Sequence, residues 1–175
     1  MKTEGVKSVY LRPLTIEDAA VSWKWRNNPK IWGKTIDRPD RQVTEEMERA
    51  WAEKVLADPQ RKNFAICLSA TDRYIGNVYL IGIHDGITDG SGIFIGEEDC
   101  HGHGYGEAAW GLLLDEAAKL GIKEVRGLIN LINTASVRMS LRNGAHFQDP
   151  IEAMLVWPVD GARRSQGDAE GVSVR

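Results

Sequence analysis

The sequence is short of the features that mark several common protein classes. Cysteine occurs only at Cys67 and Cys100, far apart and without CxxC spacing, which suits a reducing compartment better than a disulfide framework. A single bridge between them is the less favoured alternative. No apolar run, such as Val78 to Ile83, approaches the ~20 residues of a bilayer span, and Met1 to Tyr10 has no signal-peptide apolar segment. Neither sign of charge dominates: 22 Lys+Arg stand against 25 Asp+Glu, a net of -3, which leaves no electrostatic footprint for nucleic acid. Proline is scarce at 6 residues while 42% of the chain is hydrophobic, the opposite of a disordered composition. These absences imply a soluble, cytoplasmic protein with neither a nucleic-acid nor a membrane partner.

What is present is a chain of 175 residues, enough for one self-sufficient core. We expect a single domain over 1–160 and a polar, Gly-rich, frayed tail over 161–175. Glycine is in excess, and 12 of its 18 occurrences fall between Gly76 and Gly127.

The patterning predicts a strand near Val9–Leu14 and a helix after Thr15 that stops at Asn27-Asn28-Pro29, with Val21 and Trp25 on one face. A second helix follows Thr44 with a Met47, Trp51, Val55 stripe. Strands are expected at 64–68, 74–83 and 93–95, the first two joined by a turn at 69–73. A longer helix runs from Tyr105 to Gly121 with Ala109, Leu112, Leu113, Ala117 and Leu120 at helical spacing. A strand at 125–131, a helix ending at Asn143-Gly144 and weaker strands at Phe147 and 154–159 complete the order. This succession reads as an α+β (mixed α/β) domain.

The informative place is the strand-to-helix junction, Ile93-Phe94-Ile95-Gly96 and then His101-Gly102-His103-Gly104-Tyr105-Gly106-Glu107. Alternate glycines let the backbone approach a ligand, and the N–H groups of a helix start converge on an anion. The junction therefore reads as a phosphate-binding device, or else as a turn whose glycines serve local geometry alone. Gly102, Gly104 and then Glu107 break the dinucleotide G-x-G-x-x-G spacing, and the Gly-Lys-Ser/Thr of a Walker loop is absent. Cys100, His101 and His103 lack the paired spacing of structural zinc, so no metal is expected.

His101 to Gly106, together with Asn133-Thr134-Ala135-Ser136 through Leu141-Arg142-Asn143-Gly144 and the opening Leu11-Arg12-Pro13-Leu14 through Ala19, resembles the GNAT family of N-acetyltransferases. Within it, the closer resemblance is to the ribosomal-protein N-terminal acetyltransferases and their small-amine relatives. The resemblance covers roughly residues 8 to 147 and implies a central mixed, mostly antiparallel sheet flanked by helices. It implies acetyl-CoA as cosubstrate, with Phe94, Ile95, Gly96, His101, Gly102, His103, Gly104, Tyr105, Gly106 and Asn133 as its binding residues. His101 stands where the family carries Arg or Gln, and Ala145-His146 delays the aromatic after Gly144 to Phe147.

The implied reaction transfers acetyl from the thioester directly to an amine, in a monomer or homodimer. Phe94 and Ile95 would offer backbone groups to the cofactor arm, and a backbone N–H to the thioester oxygen. Ser140 occupies the position of the family group that protonates the departing sulfur, or is a helix serine bonding its own backbone. Asn133 contacts the cofactor arm or simply caps its helix. The strand carboxylate that serves relatives as a base is missing from Gly90-Ser91-Gly92-Ile93, leaving His84, Asp85, Asp89 and Glu97 as candidates. An α-amine, with a reference pKa of about 7.7 to 8.0, is partly neutral at pH 7 where a lysine at about 10.4 is not. The expected acceptor is therefore a peptide N-terminus or a small amine such as an amino sugar. Trp23, Trp32 and Trp51 line an acceptor pocket or pack in the core. The competing class is a non-catalytic CoA-binding or interaction module on the same fold.

Overall fold

The computed structural model describes residues 8–33, 39–149 and 154–159. The expected tail lies outside them.

The first half of the chain builds a four-stranded antiparallel sheet, β1 (Val9–Pro13), β2 (Lys62–Leu68), β3 (Tyr74–Ile81) and β4 (Gly90–Ile95), in the order β1-β2-β3-β4. The second half adds an antiparallel sheet of β5 (Glu124–Leu128), β6 (His146–Asp149) and β7 (Met154–Pro158), with β7 between the other two. One face of the first sheet carries Ile66, Ile75, Val78 and Leu80, all 0% exposed, against α4 (Tyr105–Lys119), whose Ala109, Trp110, Leu113 and Ala117 form the inner stripe. Leu120 stays exposed just past that helix, and Trp110, absent from the expected stripe, belongs to it.

On the other face α1 (Ala19–Arg26) and α2 (Pro29–Trp32) set Trp25 and Trp32 against Phe94 of β4, and α3 (Glu45–Leu56) packs against β2. Here the structure corrects two predicted stripes. Val21 and Met47 are exposed, at 38% and 40%, while Ser22 and Glu48 are buried beside Trp25, Ala52 and Val55. The inward turn follows from polar pairing: Glu48 accepts from Ser22 Oγ at 2.8 Å and from Arg26 Nε at 3.1 Å. A carboxylate so paired can take the inner position that an apolar residue would otherwise hold. Pro29, expected as a stop, instead opens α2, because a proline at the first helical position gives up an N–H that has no helical partner there. Asn28 caps that turn by accepting from Lys30 N–H at 3.0 Å.

At the start of the chain, Arg12 on β1 grips Asp18 with two bonds of 2.8 and 2.6 Å, and Thr15 N–H gives Asp18 a third at 2.8 Å. Burial alone pushes the Asp18 carboxyl up, but the Arg12 guanidinium and the Thr15 N–H outweigh it and hold Asp18 below the usual carboxylate range.

The two sheets meet where β4 and β5 run side by side in parallel. Thr88 N–H donates to the Glu124 carbonyl at 3.1 Å, Arg126 N–H to Thr88 Oγ1 at 3.0 Å, and Ser91 Oγ to the Arg126 carbonyl at 2.6 Å. Beyond Ser91 no hydrogen bond joins β4 to β5 among the described residues, and the strands part. The last helix, α5 (Thr134–Arg142), ends as expected with Gly144 at φ 85°.

Candidate functional site

The parting of β4 from β5 leaves backbone groups of β4 without a strand partner. Gly96 N–H donates to the Ile75 carbonyl at 2.7 Å across the β3 ladder. Successive residues of an antiparallel strand alternate between facing the partner and facing away. Phe94, in register with Asn77, therefore faces β3 with its backbone, while Ile93 and Ile95 turn theirs towards the opening. The Ile95 carbonyl is met there by His101, whose Nε2 lies at 2.8 Å and must carry the proton, since a carbonyl only accepts. His101 thus ties the glycine loop to the end of β4.

In that loop Gly102 and Gly104 hold φ of 75° and 82°, and a Cβ at either would meet nothing within 4 Å. Glycine is needed there for its backbone conformation, and the surface beside it is open. Gly104 is the N-cap of α4 and supplies no side-chain cap, so the first N–H groups of a 15-residue helix look outward beside Tyr105 and Gly106. The His103 and Tyr105 rings lie 5.8 Å apart on the loop. A Cβ on Gly106 would come within 3.9 Å of both Ile95 Cγ1 and Met139 Sδ, which places β4, the start of α4 and α5 around one point. Arg142 on α5 closes onto Glu107 at 2.7 Å, fastening the two helices there.

Ser140 is the buried residue of α5, at 2% exposure. Asn133 caps the same helix, its Oδ1 accepting from Ser136 N–H at 3.4 Å. Gly96 has a packing role as well: the Trp25 ring occupies the space where a Cβ would stand.

The four candidate bases divide. Glu97 is spoken for on both oxygens, by Trp25 Nε1 at 2.9 Å and by Arg73. Asp89 folds back over Gly82 and pairs with His84 Nε2 at 2.9 Å, raising the His84 pKa. Asp85, at 96% side-chain exposure, points into solvent in the same turn. These three sit where β4 and β5 are joined, not where they part. The residue that sequence reasoning missed is Tyr79, whose phenol covers Gly92 from β3; only the strand register reveals that juxtaposition.

On the face opposite α4, Trp32 packs on Phe94 with centroids 4.9 Å apart, and Trp51 stands 4.5 Å from the Arg26 guanidinium. Trp23 has its indole N–H buried without a partner. An open cleft of about 290 Å³ beside them is lined by Arg26, Asn28, Trp32 and Arg41 among others. A larger hollow of about 470 Å³ lies at Gly121–Lys123 and Pro158, past the far end of α4 from the glycine loop. Among the described residues no group of three His, Cys, Asp or Glu could hold a metal, and no helix is long and apolar enough to cross a membrane.

Comparison with known proteins agrees with this geometry. The family model of the acetyltransferase (GNAT) domain matches residues 8–146. Among solved structures, the ribosomal L7/L12 alpha-N-protein acetyltransferase RimL in complex with coenzyme A superposes with a TM-score of 0.76 at 15% identity, over 89% of this chain and 96% of that one. Spermidine N-acetyltransferase from Vibrio cholerae, in complex with CoA and spermine, gives 0.72 at 19% identity, over 81% and 82%. Aminoglycoside acetyltransferase AAC(6')-Ib in complex with coenzyme A gives 0.68 at 19% identity, over 86% and 95%. No curated protein sequence matches this one.

Proposed function

The chain belongs to the GNAT acetyltransferase family, an acyl-CoA-dependent N-acetyltransferase whose acyl donor is acetyl-CoA, and from that premise we propose that it acetylates an amine of low pKa, a peptide N-terminus or an amino sugar, by direct transfer. The observation that carries this reading is the opening between β4 and β5, with outward backbone groups of β4 on one side and the uncapped start of α4 at its end.

The residues present fit the donor. Gly102 and Gly104 hold the loop open beside the first N–H groups of α4, where a pyrophosphate would gain from hydrogen bonds and helix dipole together. The Ile93 N–H and carbonyl and the Ile95 N–H line the opening, the Ile95 carbonyl being held by His101, and Phe94 contributes its ring on the other face. His103, Tyr105 and Gly106 flank the loop at the end of this path, and Asn133 is assigned to the cofactor arm by its place in the family pattern. Bound acetyl-CoA supplies the activated acyl group; the chain supplies a donor N–H for the oxygen that becomes negative, the Ile93 N–H being the first beyond Ser91 to face the opening. Ser140 donates its hydroxyl to the departing sulfur.

Direct transfer is supported by the cysteines. Cys67 and Cys100 are both buried, and burial pushes the Cys100 thiol up, away from the thiolate that a covalent intermediate needs. The acceptor class is supported by the commitments of Glu97 and Asp89: with both carboxylates paired, the amine arrives neutral. Its nitrogen lone pair forms the C–N bond, the C–S bond breaks as Ser140 passes its hydroxyl proton to the sulfur, and the proton lost by nitrogen restores the serine hydroxyl.

The test is CoA release against a panel containing a peptide with a free N-terminus, an aminoglycoside, a polyamine and a lysine side chain with its α-amine blocked. The expected result is kcat/KM highest for the peptide or aminoglycoside and rising with pH until the acceptor's own pKa is passed. Stabilisation by acetyl-CoA without turnover of any amine would favour a non-catalytic module instead.

A further inference from the structure

On the sheet face opposite α4, β3 lays a phenol over a glycine of β4. Ile93 and Ile95 of β4 pack with α4, so Gly92 and Phe94 point the other way, Phe94 onto Trp25 and Trp32. On β3 the same alternation sends Val78 and Leu80 towards α4 and Tyr79 towards the opposite face. Tyr79 is in register with Gly92, and a Cβ built on Gly92 would fall inside its phenol, overlapping the hydroxyl and Cζ and lying 2.9 Å from Cε2. Gly92 directly follows Ser91, the last residue of β4 hydrogen-bonded to β5. The phenol oxygen thus lies at the mouth of the opening, on the side away from α4.

We propose that Tyr79 is an acceptor-binding residue, its hydroxyl oxygen accepting an N–H from the incoming amine and aiming the nitrogen lone pair at the acyl carbon. The inference rests on the acetyltransferase reading above. With α4 and its glycine loop on one face, the donor enters from that face and the nucleophile approaches from the other, where the phenol stands. A phenol oxygen donates and accepts at once, so it receives an amine N–H whatever takes its own proton. Glycine at 92 makes the room: any other residue would displace the ring. The neighbouring glycine, Gly90, makes no such space, its added Cβ meeting only Ile81 Cβ at 4.0 Å.

An aromatic ring over a strand glycine also stabilises a sheet by packing alone, and the test separates the two roles. Tyr79→Phe keeps the ring and removes the oxygen. The expected result is a 10- to 100-fold fall in kcat/KM for the amine, the range of a lost positioned hydrogen-bonding group at about 1.4 kcal/mol per tenfold, with the KM for acetyl-CoA and the melting temperature unchanged. Gly92→Ala should show a similar loss and add little to Tyr79→Phe in the double variant, while Gly90→Ala keeps wild-type kinetics. Tyr79→Phe within threefold of wild type would overturn the proposal, leaving the phenol as packing. A wild type that releases no CoA with any amine would instead overturn the acetyltransferase reading, so the two failures are distinguishable.

Discussion

The role proposed for Ser140 asks little of one enclosed hydroxyl. The leaving thiolate has a conjugate-acid pKa of about 8.5, so protonating it helps less than protonating the nitrogen that leaves an amide. Ser140→Ala is expected to lower kcat by ~10- to 100-fold, the low end of acid–base effects, with the acetyl-CoA KM unchanged in steady-state assays. A loss under threefold would assign Ser140 to packing. Its place in the family pattern was legible from Asn133 through Gly144, and its burial was not, because Leu141 looks the better inward residue by hydropathy yet is 47% exposed. Glu97 illustrates the reverse: the sequence offers it as one of four candidate bases with none favoured by spacing, and only the structure shows both its oxygens taken, by partners at Trp25 and Arg73 far along the chain.

At the scale of elements, the boundaries of α3, α4 and α5 were readable from Thr44, Gly121 and Gly144, since caps and left-handed glycines are local signals. Which side of α1 and α3 turns inward was not local. Glu48 is buried because Arg26, 22 residues away, pairs with it, and hydropathy cannot register that. Glu48→Gln keeps the acceptor for Ser22 but leaves Arg26, at 16% side-chain exposure, without its counter-charge. The expected cost is about 3 kcal/mol, read as a lower denaturant midpoint at constant m. The bolt between β1 and the start of α1 carries a pH signature. Because Arg12 holds the folded Asp18 carboxyl below its unfolded value, its contribution is complete above about pH 4 and fades as pH falls through the folded pKa. Asp18→Asn should therefore be less stable than wild type by about 2 kcal/mol at pH 7, with the melting-temperature gap closing below about pH 4; a constant gap would show that the hydrogen bonds, and not the charge, do the holding.

For the whole molecule, the glycine loop and the helix it opens were legible because glycine spacing is written in consecutive residues. The opening itself was not, since it depends on β5, which arrives about thirty residues after β4, pairing through Thr88 and Ser91 and then diverging. The same holds for Tyr79, which reaches Gly92 only through strand register. In the proposed reaction this opening brings acetyl-CoA and an amine together for transfer without a covalent enzyme intermediate. The direct measurement is mass spectrometry of a reaction mixture with acetyl-CoA and pooled amines, following both the small molecules and the intact protein. The expected result is an N-acetylated amine formed in step with free CoA while the protein mass stays constant. An acetylated protein accumulating before any acetylated amine, or CoA released from acetyl-CoA with no amide product, would contradict it.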